Sequence, residues 1–134
     1  MSTEANETVV RNFYDAINRG DFGSLDRYCH PEFNFYHQID TAHPGVEGLI
    51  ASEKKNFDAF SDWQMPIREM LAYDDKVMTY MVFEGTHSGE HQGVTPTGRR
   101  VRFSLMMMLT IKDGLIVEKR AHFDPMDIRD QLTR

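Results

Sequence analysis

RRVRFSLMMMLTIKDGLIVEKRAHF, residues Arg99 to Phe123, is the stretch whose reading decides the fold. In an extended chain Val101, Phe103, Leu105, Met107 and Leu109 point one way, so Arg99 to Ile111 reads as a long strand. Lys112-Asp113-Gly114 is hairpin turn chemistry, and Leu115 to Phe123 is the returning strand. Met106 and Met108 make the second face of the first strand apolar as well. A sheet that is apolar on both faces has to be covered on both.

Working back toward the N-terminus, Lys76 to Glu90 repeats the pattern, with Met81 and Phe83 on one face and Met78, Tyr80 and Val82 on the other. Asp74-Asp75 joins it to a strand over Gln64 to Tyr73, and Gly93 to Gly98 is a longer hairpin loop containing Pro96. These connections predict an antiparallel sheet. Helices precede it. Val9, Val10, Phe13, Ala16 and Ile17 recur at helical spacing between Glu4 and Arg19, and Gly20 stops that helix. Asp21 caps a short second helix carrying Phe22, Leu25 and Tyr28, which Pro31 ends. Phe33, Phe35 and His37 then share one face of a first strand, Asp40 to Gly45 reads as a loop, and Val46 to Phe60 as a third helix. Pro125 opens a last helix with Met126, Ile128 and Leu132, and Asp124 is its natural cap.

At 134 residues the chain is long enough for one core and predicts a single domain, 1–134. A net charge of -6 argues against a nucleic-acid partner, and Arg99, Arg100 and Arg102 read as a solvated strand edge. The lone Cys29 rules out an intramolecular disulfide and a thiolate metal cage. No apolar run approaches the ~20 residues of a membrane span, and the polar N-terminus is unlike a signal peptide, so a soluble cytoplasmic protein is expected. Nine Met and nine Phe suit an adaptable apolar pocket. One chain with three or four helices covers one sheet face, so a homodimer through the outer face is expected.

The run Val9-Val10-Arg11-Asn12-Phe13-Tyr14-Asp15-Ala16-Ile17-Asn18-Arg19-Gly20-Asp21 resembles the opening of SnoaL-like and ketosteroid-isomerase-like proteins. Gly85 to Glu90, Pro96 to Val101, Asp113 to Glu118 and Phe123-Asp124 resemble the SnoaL-like pattern in order and spacing. The resemblance spans nearly the whole chain. It implies an α+β, NTF2-like cone: a strongly curved mixed or antiparallel sheet wrapped around N-terminal helices, with an internal pocket. It does not fix a reaction, because that superfamily holds isomerases, cyclases, dehydratases, epoxide hydrolases and binders.

The resemblance has to be carried residue by residue. The acid/base Asp of the SnoaL-like aldol cyclases, and that of the related epoxide hydrolases, falls on Ala121, and a cyclase His falls on Met107. Both replacements remove a proton-handling group. The isomerase Asp falls on His37, whose imidazole is able to do the same work near neutral pH. The isomerase Tyr falls on Phe13, with Tyr14 next along the helix. His37 is therefore the candidate base, His122 a substitute if a bulge turns it inward, and Tyr14 or Tyr36 the group that orients a ligand oxygen. Phe13, Phe35, Trp63, Met107, Ala121 and Phe123 are expected to line the cavity. His43, His87 and His91 read as loop or surface residues, and His30, His37 and His43 lack metal-ligand spacing. The expectation is cofactor-independent, metal-free acid/base catalysis, of isomerase, dehydratase or cyclase type, on an apolar carbonyl compound. The alternative is a non-catalytic binding protein for a small apolar metabolite. A protein-interaction module is a weaker third reading.

Overall fold

The computed structural model describes residues 2–37, 39 and 41–134; for His37 it describes the backbone and not the side chain. Helix α1, Thr3–Asn18, begins where the Ser2 hydroxyl accepts a hydrogen bond from Ala5 N–H, and it ends beside Gly20 at φ 74°. It buries Val10, Phe13, Tyr14 and Ile17, the stripe that the 3.6-residue repeat requires. After a 3-10 turn at Phe22–Arg27 come strand β1, Cys29–His37, strand β2, Ala42–Pro44, and helix α2, Gly45–Asp58. Strands β3, Ile67–Tyr73, β4, Lys76–Thr86, β5, Arg100–Lys112, and β6, Leu115–His122, follow, and helix α3, Pro125–Thr133, closes the chain.

The six strands form one sheet in the order β2-β1-β6-β5-β4-β3. The expectation of an antiparallel sheet holds for every pair except β1 and β6, which run parallel, so the sheet is mixed. The fold is the expected α+β class, a curved, unclosed sheet with α1 packed against β3, β4 and β6.

Four local expectations are corrected. The second helix is only a 3-10 turn, because Pro31 lies inside β1; it falls in the irregular stretch between Cys29 and Asn34, where a missing N–H costs no ladder bond. The segment read as a loop holds β2, paired antiparallel with Asn34, Phe35 and Tyr36. β3 begins at Ile67, with Gln64 left as an isolated bridge to Glu84. β4 stops at Thr86, where the chain leaves the ladder for the loop that carries His87 and His91. Asp124 caps α3, its carboxylate accepting from Met126 N–H at 2.9 Å with Pro125 in the first turn. Among the described residues no helix is long and apolar enough to cross a membrane.

Gly85 lets α2's end close on the sheet. A Cβ there would stand 2.8 Å from the Cβ of Phe60 and 3.3 Å from that of Trp63. The contact seats Phe60 against Phe83, ring centroids 5.3 Å apart, at the wall of the interior.

Candidate functional site: a buried ion pair at an aromatic cavity

Register decides what faces inward. On the inner side Phe35 of β1 stands beside Lys119 of β6, which stands beside Leu109 of β5 and, beyond it, Val77 of β4. The next row is Ala121, Met107 and Thr79, with the backbone of His37 opposite Ala121. Along β6 the buried positions are Ile116, Lys119 and Ala121, a change of parity produced by the bulge that shifts the β5–β6 register between Thr110 and Ile111. Without it Lys119 and Ile116 would take opposite faces.

Lys119 is fully buried, an uncommon place for an ammonium group. Its Nζ donates to Glu53 Oε1 at 2.7 Å and lies 5.1, 5.4 and 5.8 Å from the ring centroids of Phe35, Tyr14 and Phe13. The ion pair and the ring faces together offset the cost of desolvating the charge. Glu53 comes from α2, and its carboxylate, 14% exposed, opens on to a cavity with a free volume of about 70 Å³. Phe35, Phe57, Phe83, Phe103, Met107 and Ala121 supply its apolar walls; Ser52, Glu53, Asn56 and His91 are the polar ones. Met65 and Met107 are the flexible wall residues that can move for a larger guest. Trp63 stands behind the wall, stacked on Phe57 at 4.4 Å and on Phe83 at 5.9 Å.

Deeper in the core the Tyr14 and Thr79 hydroxyls face one another without closing a hydrogen bond of ordinary geometry, and both are buried without another partner among the described residues. Burial, then the negative charge of Glu53, pushes the Tyr14 phenol well above its usual pKa, so it keeps its proton. Burial likewise raises the Cys29 thiol to about 12, against the opposing pull of Lys119.

The loop after β4 adds two imidazoles. His87 is buried; its Nδ1 accepts from Thr97 N–H at 3.1 Å, and its Nε2 has no partner among the described residues. His91 is half-buried at the cavity edge, and burial, then His87, lowers its pKa. The surface reading of both residues is thus corrected: the loop folds back over Phe60 instead of projecting into solvent.

The other expected site residues fall as follows. Phe35, Met107, Ala121 and Phe123 line the cavity, Phe123 partly exposed at its mouth. Phe13 and Tyr14 are core residues beneath Lys119. Tyr36 lies on the other face of the sheet, its ring 4.2 Å below the Arg120 guanidinium. His122 is exposed opposite Met106, in unbroken register, so no bulge turns it inward. The His37 side chain lies outside the described residues. Among the described residues no three His, Cys, Asp or Glu side chains come together in a way that would hold a metal ion.

The residues missed from sequence are Glu53, Lys119 and His91. The first two left a signal. Glu53 sits four residues from Leu49 and four from Phe57, on the apolar face of its helix, and Lys119 shares strand parity with Ala121. His91 lies in a loop, where no periodicity marks it.

A curved sheet packed against one long helix, with an apolar cavity between sheet and α2, is the NTF2-like pocket architecture. The chain belongs to the SnoaL-like polyketide cyclase family, whose model matches residues 7–132. Among solved structures it is similar to a protein of Jannaschia sp. CCS1 proposed to be a SnoaL-like polyketide cyclase, with 21% identity, TM-score 0.88 and coverage of 98% of this chain and 93% of that one. It is also similar to IdmH of Streptomyces antibioticus, proposed to be a polyketide cyclase, at 27% identity, TM-score 0.83 and coverage of 96% and 99%. AclR of Streptomyces galilaeus, proposed to be a hydroxylase, matches at 26% identity, TM-score 0.83 and 96% of both chains. No curated protein matches the sequence.

Proposed function

We propose that this protein is a cofactor-independent acid/base catalyst that moves a proton at carbon next to the carbonyl of a small apolar compound, with Glu53 as the base. The observation that carries the reading is a carboxylate, the one lining the aromatic cavity among the described residues, tied at 2.7 Å to a fully buried ammonium. The apolar walls strip water from the base and strengthen every charge interaction inside. Lys119 fixes the carboxylate and balances the negative charge that passes to the ligand. Glu53 takes the role that Ala121 leaves empty and that the sequence suggested for His37. The structural relatives, one proposed as a cyclase and another as a hydroxylase, fit a pocket whose chemistry varies on one fold.

The test is exchange of the α-protons of 2-indanone in deuterated buffer, followed by proton NMR, for the wild type, Glu53→Gln and His37→Ala. The expected result is protein-dependent exchange that falls about 10²- to 10⁴-fold in Glu53→Gln. Loss in His37→Ala with full activity in Glu53→Gln returns the role to His37. Binding of 2-indanone without exchange supports the alternative, a non-catalytic carrier, which the missing groups at Ala121 and Met107 favour.

We also propose that a second copy covers the outer face. Leu71 and Tyr73 are 74% and 78% exposed, and the ladder sets Leu71 beside Met78, Met78 beside Met108, and Tyr80 beside Met106. Arg100 and Arg102 with Glu84 and Asp62 rim one end; Arg120 with Glu118 flanks the other. Both signs recur at each end, so the face is complementary to a copy of itself.

A further inference from the structure

His91 enters the cavity from the loop after β4, and its position is built. Its backbone N–H donates to Val94 O at 3.1 Å and its carbonyl accepts from Val94 N–H at 2.8 Å. Gln92 Nε2 donates to Pro125 O, and Arg129 Nη1 donates to Gln92 O at 2.8 Å, clamping the loop on α3. The imidazole stands edge-on to Phe60, centroids 5.3 Å apart and planes at 64°. Neither ring nitrogen has a hydrogen-bond partner among the described residues. The ring lines the same cavity as Glu53.

We propose that His91 is a second catalytic residue, donating its ring N–H to the carbonyl oxygen of the bound compound while Glu53 takes the adjacent C–H proton. The inference rests on the reading of Glu53 above and names the ligand class more closely: a compound whose acceptor oxygen and acidic carbon are neighbours, a ketone or a lactone. The step balances. Glu53 takes the proton, the C–H electron pair forms the C=C bond, the C=O π pair moves to oxygen, and the His91 N–H holds that oxygen; reversal returns a proton to carbon. Burial and the nearby His87 disfavour the imidazolium form. A neutral imidazole always carries one N–H, and it polarises a carbonyl without pairing with the carboxylate base. Removal of such a donor is expected to lower the exchange rate about 100-fold.

The experiment uses 2-indanone labelled with ¹³C at the carbonyl, bound to the full-length protein and observed by isotope-edited infrared spectroscopy. The expected result is a bound C=O stretch at lower frequency than in an apolar solvent, retained in His91→Gln, which keeps an N–H donor, and lost in His91→Phe. A stretch in His91→Phe equal to that of the wild type overturns the proposal, and so does a wild-type protein showing no bound carbonyl band. Glu53→Gln is expected to keep the lowered stretch while losing exchange. If Glu53→Gln keeps exchange while the stretch still depends on His91, the base assignment fails and the donor stands.

Discussion

Lys119 Nζ lies 2.7 Å from Glu53 Oε1, the ammonium wholly buried and the carboxylate facing the cavity. The asymmetry predicts unequal costs. Glu53→Gln leaves a buried cation with three aromatic rings and a neutral amide, and is expected to lose about 3 to 5 kcal/mol. Lys119→Met leaves a carboxylate that can turn toward the cavity, and is expected to cost less. The double variant Glu53→Gln with Lys119→Met removes both charges and is expected to be more stable than Glu53→Gln alone. Urea unfolding of the three variants measures this, and additive single-site costs would show that the pair is uncoupled.

Gly85→Ala tests the packing that shapes the cavity. The new methyl would stand 2.8 Å from Phe60 Cβ, a side-chain position tied to the helix end and unable to swing away. A loss of about 1 to 3 kcal/mol in urea unfolding is expected. Because Phe60 also carries His91 edge-on, the same variant is expected to weaken 2-indanone binding. An unchanged midpoint would mean that the strand relaxes at no cost.

The apolar positions of α1 and of β5 were legible because each sits in a long, regular period. Alternation likewise put Phe35 and Met107 on apolar strand faces, while the place of Met107 and Ala121 at the pocket was what the family resemblance implied. Alternation failed where the ladder is irregular. The bulge near Ile116 and Glu118 changes which side chains of β6 turn inward, and the Pro31 irregularity let β1 begin before the predicted strand. The parallel pairing of β1 with β6 joins strands far apart in sequence, so no local turn announces it. His91 was hidden for a different reason: its burial depends on a loop clamped to α3 by Gln92 and Arg129, contacts that no spacing rule contains.

Cys29 supplies the pH prediction. Burial raises its thiol from an ordinary value of 9.0 to about 12, so the folded state disfavours the thiolate. A group raised on folding contributes stability fully below its unfolded value and loses it as pH rises toward its folded value. The stability of the wild type is therefore expected to fall between pH 9 and 12 by more than that of Cys29→Ala. A thiol reagent at pH 8 is expected to label the native protein slowly and the urea-unfolded chain at once. Rapid native labelling would place Cys29 outside the core.

The outer face carries the last prediction. Met106 lies on the exposed apolar surface at its β6 side, in register with Tyr80 on one side and His122 on the other, and is 46% exposed. A dimer through this face would bury Met106, so Met106→Glu would put an unpaired carboxylate from each copy into an apolar contact. Sedimentation velocity is expected to show a dimer for the wild type and a monomer for Met106→Glu. The variant is expected to retain the fold, because the side chain points away from the core. A wild type that sediments as a monomer over the micromolar range would leave this face without a second copy, whatever the variant does. A dimer that survives the substitution would place the interface elsewhere, away from the ladder joining Met78, Met108, Tyr80 and Met106.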